Sequence, residues 1–187
     1  MSNRILIAAG VALMLSTGMM AQSGAASKFE IGVGLAPFID RYMMVWDGPY
    51  KSKYEAAAFA EWRLGLGRHF DCGAKLGYAV GPTDGIAPGV SFKGVGHVVE
   101  LLAFGDFNIL PGKKVNPYLG IAMGPLVDIQ KYDYKPEPEV YFCKLSAGPR
   151  IGVELFDHLR ISVESVFHIF GGYNIGQPIC LNIGWTF

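Results

Sequence analysis

Apolar and polar residues alternate along most of this chain. Phe29, Ile31, Val33 and Leu35 share one parity against Glu30, Gly32, Gly34 and Ala36, and seven later segments repeat the pattern. The apolar sets are Ala56–Trp62–Leu64, Phe70–Leu76–Tyr78, Val99–Leu101–Phe107, Leu119–Ile121–Met123–Val127, Tyr141–Leu145–Ile151–Val153, Ile161–Val163–Phe167 and Ile179–Leu181–Ile183–Trp185–Phe187. Period two predicts eight β-strands, each with one oily face. The segments from Ala56 to Leu64 and from Phe156 to Phe170 also suit a helical stripe. Strands are favoured there because Glu61 with Arg63, and Arg160 with Ser162 and Glu164, keep to one parity.

Charge settles which face is which. In these registers the opposite face carries Glu30, Glu55, Glu61, Arg63, Asp71, Lys75, Glu100, Asp106, Asp128, Lys144, Arg150, Glu154, Arg160 and Glu164. The oily face has no Asp, Glu, Lys or Arg in any strand. A soluble exported barrel with a ligand cavity would turn apolar residues inward and charge outward. Here the uncharged ring calls for lipid, since a Lys or Arg at the bilayer midplane costs roughly 2–4 kcal/mol. The expected fold is all-β, an antiparallel up-and-down eight-stranded transmembrane β-barrel.

The connections fit. Links around 65–69, 108–116 and 157–158 are short, and those at 39–53, 81–96, 129–139 and 169–178 are longer. This is the short-periplasmic, long-extracellular asymmetry of outer-membrane barrels, with both ends of the barrel inside. Phe29, Trp62, Phe70, Phe107, Trp185 and Phe187 then fall near the periplasmic rim, and Tyr78, Tyr141 and Phe167 near the outer one. Two stretches, Gly148–Glu164 and Pro117–Gly124, resemble the strand–turn–strand and fifth strand of OmpA-like and OmpX-like small outer-membrane barrels. The chain departs from that pattern at Asn182, where a Gly is usual. The resemblance implies that Ile179, Leu181, Ile183, Trp185 and Phe187 form the strand shown to the barrel-assembly machinery. It also implies insertion among outer-membrane lipids as a monomer.

Ahead of the barrel lies a targeting segment. Arg4, the apolar run Ile5–Leu15 and the small residues of 21–27 read as a signal peptide over 1–26, cleaved between about 21 and 26, with the barrel at 27–187. A transmembrane anchor would need about 20 uninterrupted apolar residues. Sixteen Lys and Arg balance sixteen Asp and Glu, and with no basic stretch nucleic acid is not an expected partner. Three widely spaced cysteines are not a disulfide framework.

An eight-stranded barrel is just wide enough to be filled by side chains. Glu30, Glu61, Arg63, Lys75, Glu100, Asp106, Lys144, Arg150, Glu154, Arg160 and Glu164 are therefore expected to pair as a lumen charge network, with a narrow ion pathway as the alternative. A lipid A-modifying enzyme is the other alternative. Its nearest nucleophile–base pair, Ser165 and His168, has opposite parity and points to opposite faces. His69 and His158 fall at periplasmic turns, His97 and His168 near the outer rim, and no pair has metal-ligand spacing. No catalytic residue, metal or cofactor is expected. Inward glycines such as Gly32 and Gly34 leave room for large lumen side chains. Function is left to the loops, where apolar Tyr42, Met43, Met44 and Trp46 either extend the first strand above the membrane or offer a contact for an extracellular ligand or outer-leaflet lipid.

Overall fold

A computed structural model describes residues 27–36, 55–87, 90–132, 139–165, 167–170 and 179–187. The expected signal segment and loop residues Tyr42, Met43, Met44 and Trp46 lie outside them.

The described residues form nine strand segments and no helix: β1 (Ser27–Ala36), β2 (Glu55–Gly65), β3 (Phe70–Ala87), β4 (Val90–Asn108), β5 (Val115–Tyr132), β6 (Glu139–Leu155), β7 (Leu159–Ser165), β8 (Phe167–Phe170) and β9 (Ile179–Thr186). Both β7 and β8 pair along β6 in sequence, so together they make one stave of an eight-stave barrel. Every neighbouring pair is antiparallel, and β9 on β1 closes the ring. Closure removes the open sheet edge that lipid could not satisfy. Followed once round, the register returns roughly ten residues further along β1, the stagger that tilts barrel strands by about 35–45°.

The alternation holds wherever side chains are described. Ile31, Val33, Leu76, Leu119, Ile121, Ile151, Leu181 and Ile183 are exposed on the outer wall, while Glu30, Glu61, Arg63, Lys75, Asp106, Arg150, Glu154, Arg160 and Glu164 are buried inside. Both helix-compatible segments are strands. Lipid contact on one face and charge pairing on the other impose period two there.

The long link expected at 81–96 is instead mostly strand. β3 and β4 pair from Phe70↔Phe107 up to Ala87↔Val90, and β5 and β6 likewise run on to Lys131↔Glu139. At ~3.3 Å per residue and this tilt, the 18 residues of β3 rise about 45 Å along the axis, against an apolar band of about 25 Å. Half of the wall, β3 to β6, therefore stands well above the apolar band.

Glycine allows large side chains to lie flat inside. A Cβ at Gly32 would strike the Phe59 ring, one at Gly73 the Phe104 ring, one at Gly152 the Tyr118 ring and one at Gly184 the Glu30 carboxylate. Each of these four inward side chains rests on a neighbouring glycine. That fits the inward glycines' expected role.

Candidate functional site: the lumen network

The network is built from strands that stand opposite one another. β2 faces β6 across the eight-stave ring, and β3 faces β7. From β2, Arg63 Nη1 donates to Glu154 Oε2 of β6 at 3.0 Å, and from β6, Arg150 Nη2 donates to Glu61 of β2 at 2.9 Å. From β3, Lys75 Nζ donates to Glu164 Oε2 of β7 at 2.7 Å. These three contacts run from wall to wall.

Shorter links join the struts. Arg63 Nη2 also donates to Glu30 Oε2 at 2.9 Å and to Thr186 Oγ1 at 2.8 Å. Arg160 Nη2 donates to Asp106 Oδ2 at 3.0 Å, and its Nη1 lies 3.5 Å from Glu30 and 3.6 Å from Glu61. Arg150 Nε stands 3.2 Å from Asp106 Oδ1. Lys75 reaches Glu100 at 2.8 Å, and Lys28 closes the lower end on Glu154 at 2.8 Å. Arg63, Lys75, Arg150 and Arg160 each touch at least two acids. Such sharing is what allows charge to persist out of water.

Aromatic rings complete the filling. The Arg160 guanidinium carbon lies 3.8 Å from the Tyr118 ring centre, that of Arg150 lies 4.2 Å from Phe104, and Lys75 Nζ lies 5.3 Å from Phe59. The negative ring faces accept charge that the carboxylates do not reach. Alternation alone puts Phe59, Phe104 and Tyr118 on the charged parity, but sequence reasoning missed that they sit beneath the cations. It also missed Thr186. Their signal is an aromatic or hydroxyl residue on the charged parity.

Of the expected lumen residues, Glu30, Glu61, Arg63, Lys75, Glu100, Asp106, Arg150, Glu154, Arg160 and Glu164 come together in these contacts. Lys144 pairs with Leu126 in the sheet register, and its side chain is outside the described ones. Lower down, Asn108 donates to Asp71 at 2.9 Å and accepts from Asn116 at 2.9 Å. In the closing strand, Ile179, Leu181, Ile183, Trp185 and Phe187 are all exposed on the outer wall, and β9 pairs with β1 and β7. His168 pairs with Ser146, a buried lumen residue, whereas Ser165 pairs with Ile179 on the lipid parity. The strands thus hold these two on opposite parities.

No protein-family model matches the chain, and no curated protein matches it. Solved structures do. Ail, the attachment invasion locus protein of Yersinia pestis, superposes with a TM-score of 0.56 at 15% identity, covering 86% of this chain and 97% of Ail. The N-terminal β-barrel domain of Pseudomonas aeruginosa OprF gives 0.52 at 11% identity over 88% and 100%. Neisserial surface protein A gives 0.50 at 13% identity over 88% and 98%. Identities this low speak to architecture alone. Eight antiparallel staves, an apolar outer wall, a charged interior and these superpositions agree: the chain has the fold of the small eight-stranded outer-membrane β-barrels.

Proposed function

We propose that this protein is an outer-membrane barrel, exported by a cleaved signal peptide and folded by the barrel-assembly machinery, whose interior is a rigid plug and whose work is done at the cell surface. The observation that carries the reading is the set of wall-to-wall contacts Arg63–Glu154, Arg150–Glu61 and Lys75–Glu164. With opposite staves joined through the axis, the lumen has little left to conduct or to hold a ligand. Binding then falls to the raised β3–β6 wall and the connections above it, and the partner is an extracellular ligand. The surface or attachment names carried by Ail and the Neisserial protein support this class of role.

Three measurements test it on the full chain. Extraction should require detergent, and the folded protein should migrate faster than the boiled one in SDS gels. Planar bilayers should stay silent after insertion. Cells whose chain is shortened by deleting residues 83–92 should keep the barrel and lose surface attachment. Steady single-channel steps would replace the plug with a pore. Unchanged attachment after the deletion would remove the surface role from this hairpin.

A further inference from the structure

The short-turn end of the barrel carries a feature that the plug and the surface role leave unused. Residues Phe156, Asp157 and His158 link β6 to β7, with Leu155 paired to Leu159; Phe156 and Asp157 both have positive φ (55° and 63°), and His158 N donates to Leu155 O at 3.1 Å. Turns of this hand favour Asn-Gly, because a Cβ crowds the following carbonyl in the left-handed region. A bulky aromatic is a poor choice there, and Phe156 is also 64% exposed. Among the described residues its ring is left largely uncovered. A strained, uncovered aromatic points to a partner outside the chain.

Its surroundings indicate which. Phe156 N donates to Lys114 O at 2.8 Å, so this turn is stitched to the β4–β5 turn. Asn108 N donates to His69 O at 2.7 Å, and His69 Nδ1 lies 2.8 Å from Asn108 O, which joins the β2–β3 turn to the same rim. On this rim Arg68, Lys113 and Lys114 are exposed, and Asp157 is the one acid in the three turns. Exposed apolar side chains stand among them: Leu66, Leu110 and Val115. They continue the outer-wall band in which Phe107 stacks on His69 and meets Phe70 edge to face, and Trp185 stacks on His158.

We propose that this rim binds anionic phospholipid of the inner leaflet, with Phe156, Leu66 and Leu110 entering the acyl-chain boundary and Arg68, Lys113 and Lys114 holding headgroup phosphates. The proposal rests on the outer-membrane reading, which puts the short turns on the periplasmic side. Long cationic side chains reach to headgroup level while their stems stay among apolar groups. Fixed positive charge beside anionic lipid is the usual electrostatic basis for such selectivity. A soluble acidic polymer such as peptidoglycan would engage the same cations but has no use for exposed Phe156 or Leu110.

The test is lipid retention by the full refolded protein, measured by native mass spectrometry from micelles holding equal phosphatidylglycerol and phosphatidylcholine. Wild type is expected to retain phosphatidylglycerol at least about fivefold over phosphatidylcholine. The Arg68→Gln/Lys113→Gln/Lys114→Gln variant should lose that preference while keeping heat-modifiable migration. Phe156→Asn should lower retention of both lipids and leave the preference. Should the triple variant fail to fold, Lys113→Gln/Lys114→Gln alone is expected to cut the preference at least twofold. Equal retention of both lipids by folded wild type overturns the proposal. So does an unchanged preference in the folded variants, or binding to isolated sacculi that vanishes in the triple variant without any lipid preference. Failure to insert into bilayers at all would instead strike the outer-membrane reading beneath it.

Discussion

Lys75→Met is the sharpest test of the strut arrangement. Lys75 serves two acids, Glu164 at 2.7 Å and Glu100 at 2.8 Å. Their positions differ. The Glu100 side chain is 18% accessible and can turn to water, whereas that of Glu164 is 2% accessible and has no second ion-pair partner among the described residues. Met keeps most of the aliphatic stem, so the loss is dominated by one buried carboxylate left without its ion-pair partner. Removing one member of a buried pair costs about 3–5 kcal/mol; Arg150 stands opposite Glu164 in the register but makes no ion pair with it, which puts this case near 4. Glu164→Gln alone leaves Lys75 paired with Glu100 and should cost about 1 kcal/mol, the size of a lost hydrogen bond. In the double variant no charge is orphaned at Glu164, so the total should be about 2 kcal/mol and the coupling about 3. The assay is reversible urea unfolding of protein in lipid vesicles, read by the folded band in unboiled SDS gels. The reasoning fails if Lys75→Met costs less than about 1 kcal/mol, or if adding Glu164→Gln recovers nothing.

Three other changes probe different parts of the structure in the same assay. Arg150→Met removes contacts to Glu61 and Asp106, but Arg160 stands 3.6 Å from the first and 3.0 Å from the second. Its cost should therefore be only about 2 kcal/mol, below that of Lys75→Met despite the larger side chain; a greater loss than Lys75→Met would show that the cations do not substitute for one another. Gly32→Ala should cost about 1–3 kcal/mol by overpacking. Phe59→Leu in the same chain should recover only part, since the Ile183 carbonyl also stands 2.5 Å from the added Cβ; full recovery would mean the ring alone sets the limit. Ile121→Arg, in the middle of the outer wall, should cost roughly 2–4 kcal/mol, and Ile109→Arg at the short-turn end at most about 1. Equal costs at the two sites would contradict the placement of the apolar band.

Parity was the legible part of this chain. Whether a residue faces lipid or lumen depends only on its count along the strand, so Ile121, Arg150 and Trp185 could be assigned without knowing any neighbour. Strand length above the membrane was not legible. Gly81, Pro82, Gly85, Gly94 and Gly96 look like turn residues, and beyond the apolar band no lipid enforces alternation. There the strands are held by cross-strand register, with Asp84 opposite Lys93 and Gly81 opposite Gly96. The identity of ion partners was hidden for a different reason. Lys75 meets Glu164 across 89 positions of sequence because tilt and stagger bring β3 and β7 level at that height. Stagger is a property of the closed ring, so no single strand encodes it.

The same parity suggests why the lumen is charged at all. Buried ion pairs are often no better than a hydrophobic filling of equal volume, so the network is a weak source of net stability. Its stronger effect is on which face turns inward. A strand slipped by one residue exchanges its two faces completely. For β7 that slip would place Arg160 and Glu164 in lipid and Ile161 and Val163 among the charges of Arg63, Lys75 and Arg150. One Arg at the midplane already forfeits roughly 2–4 kcal/mol, before its former partners are counted. With an apolar lumen the two faces would be nearly equivalent and the slip almost free. Replacing the network wholesale with Leu, Met and Phe should thus leave barrels that form but in mixed registers. Cysteines introduced at positions 121 and 149, paired in the native register, would then crosslink incompletely in the apolar variant and fully in the charged one. Complete crosslinking in both would show that the turns alone set the register.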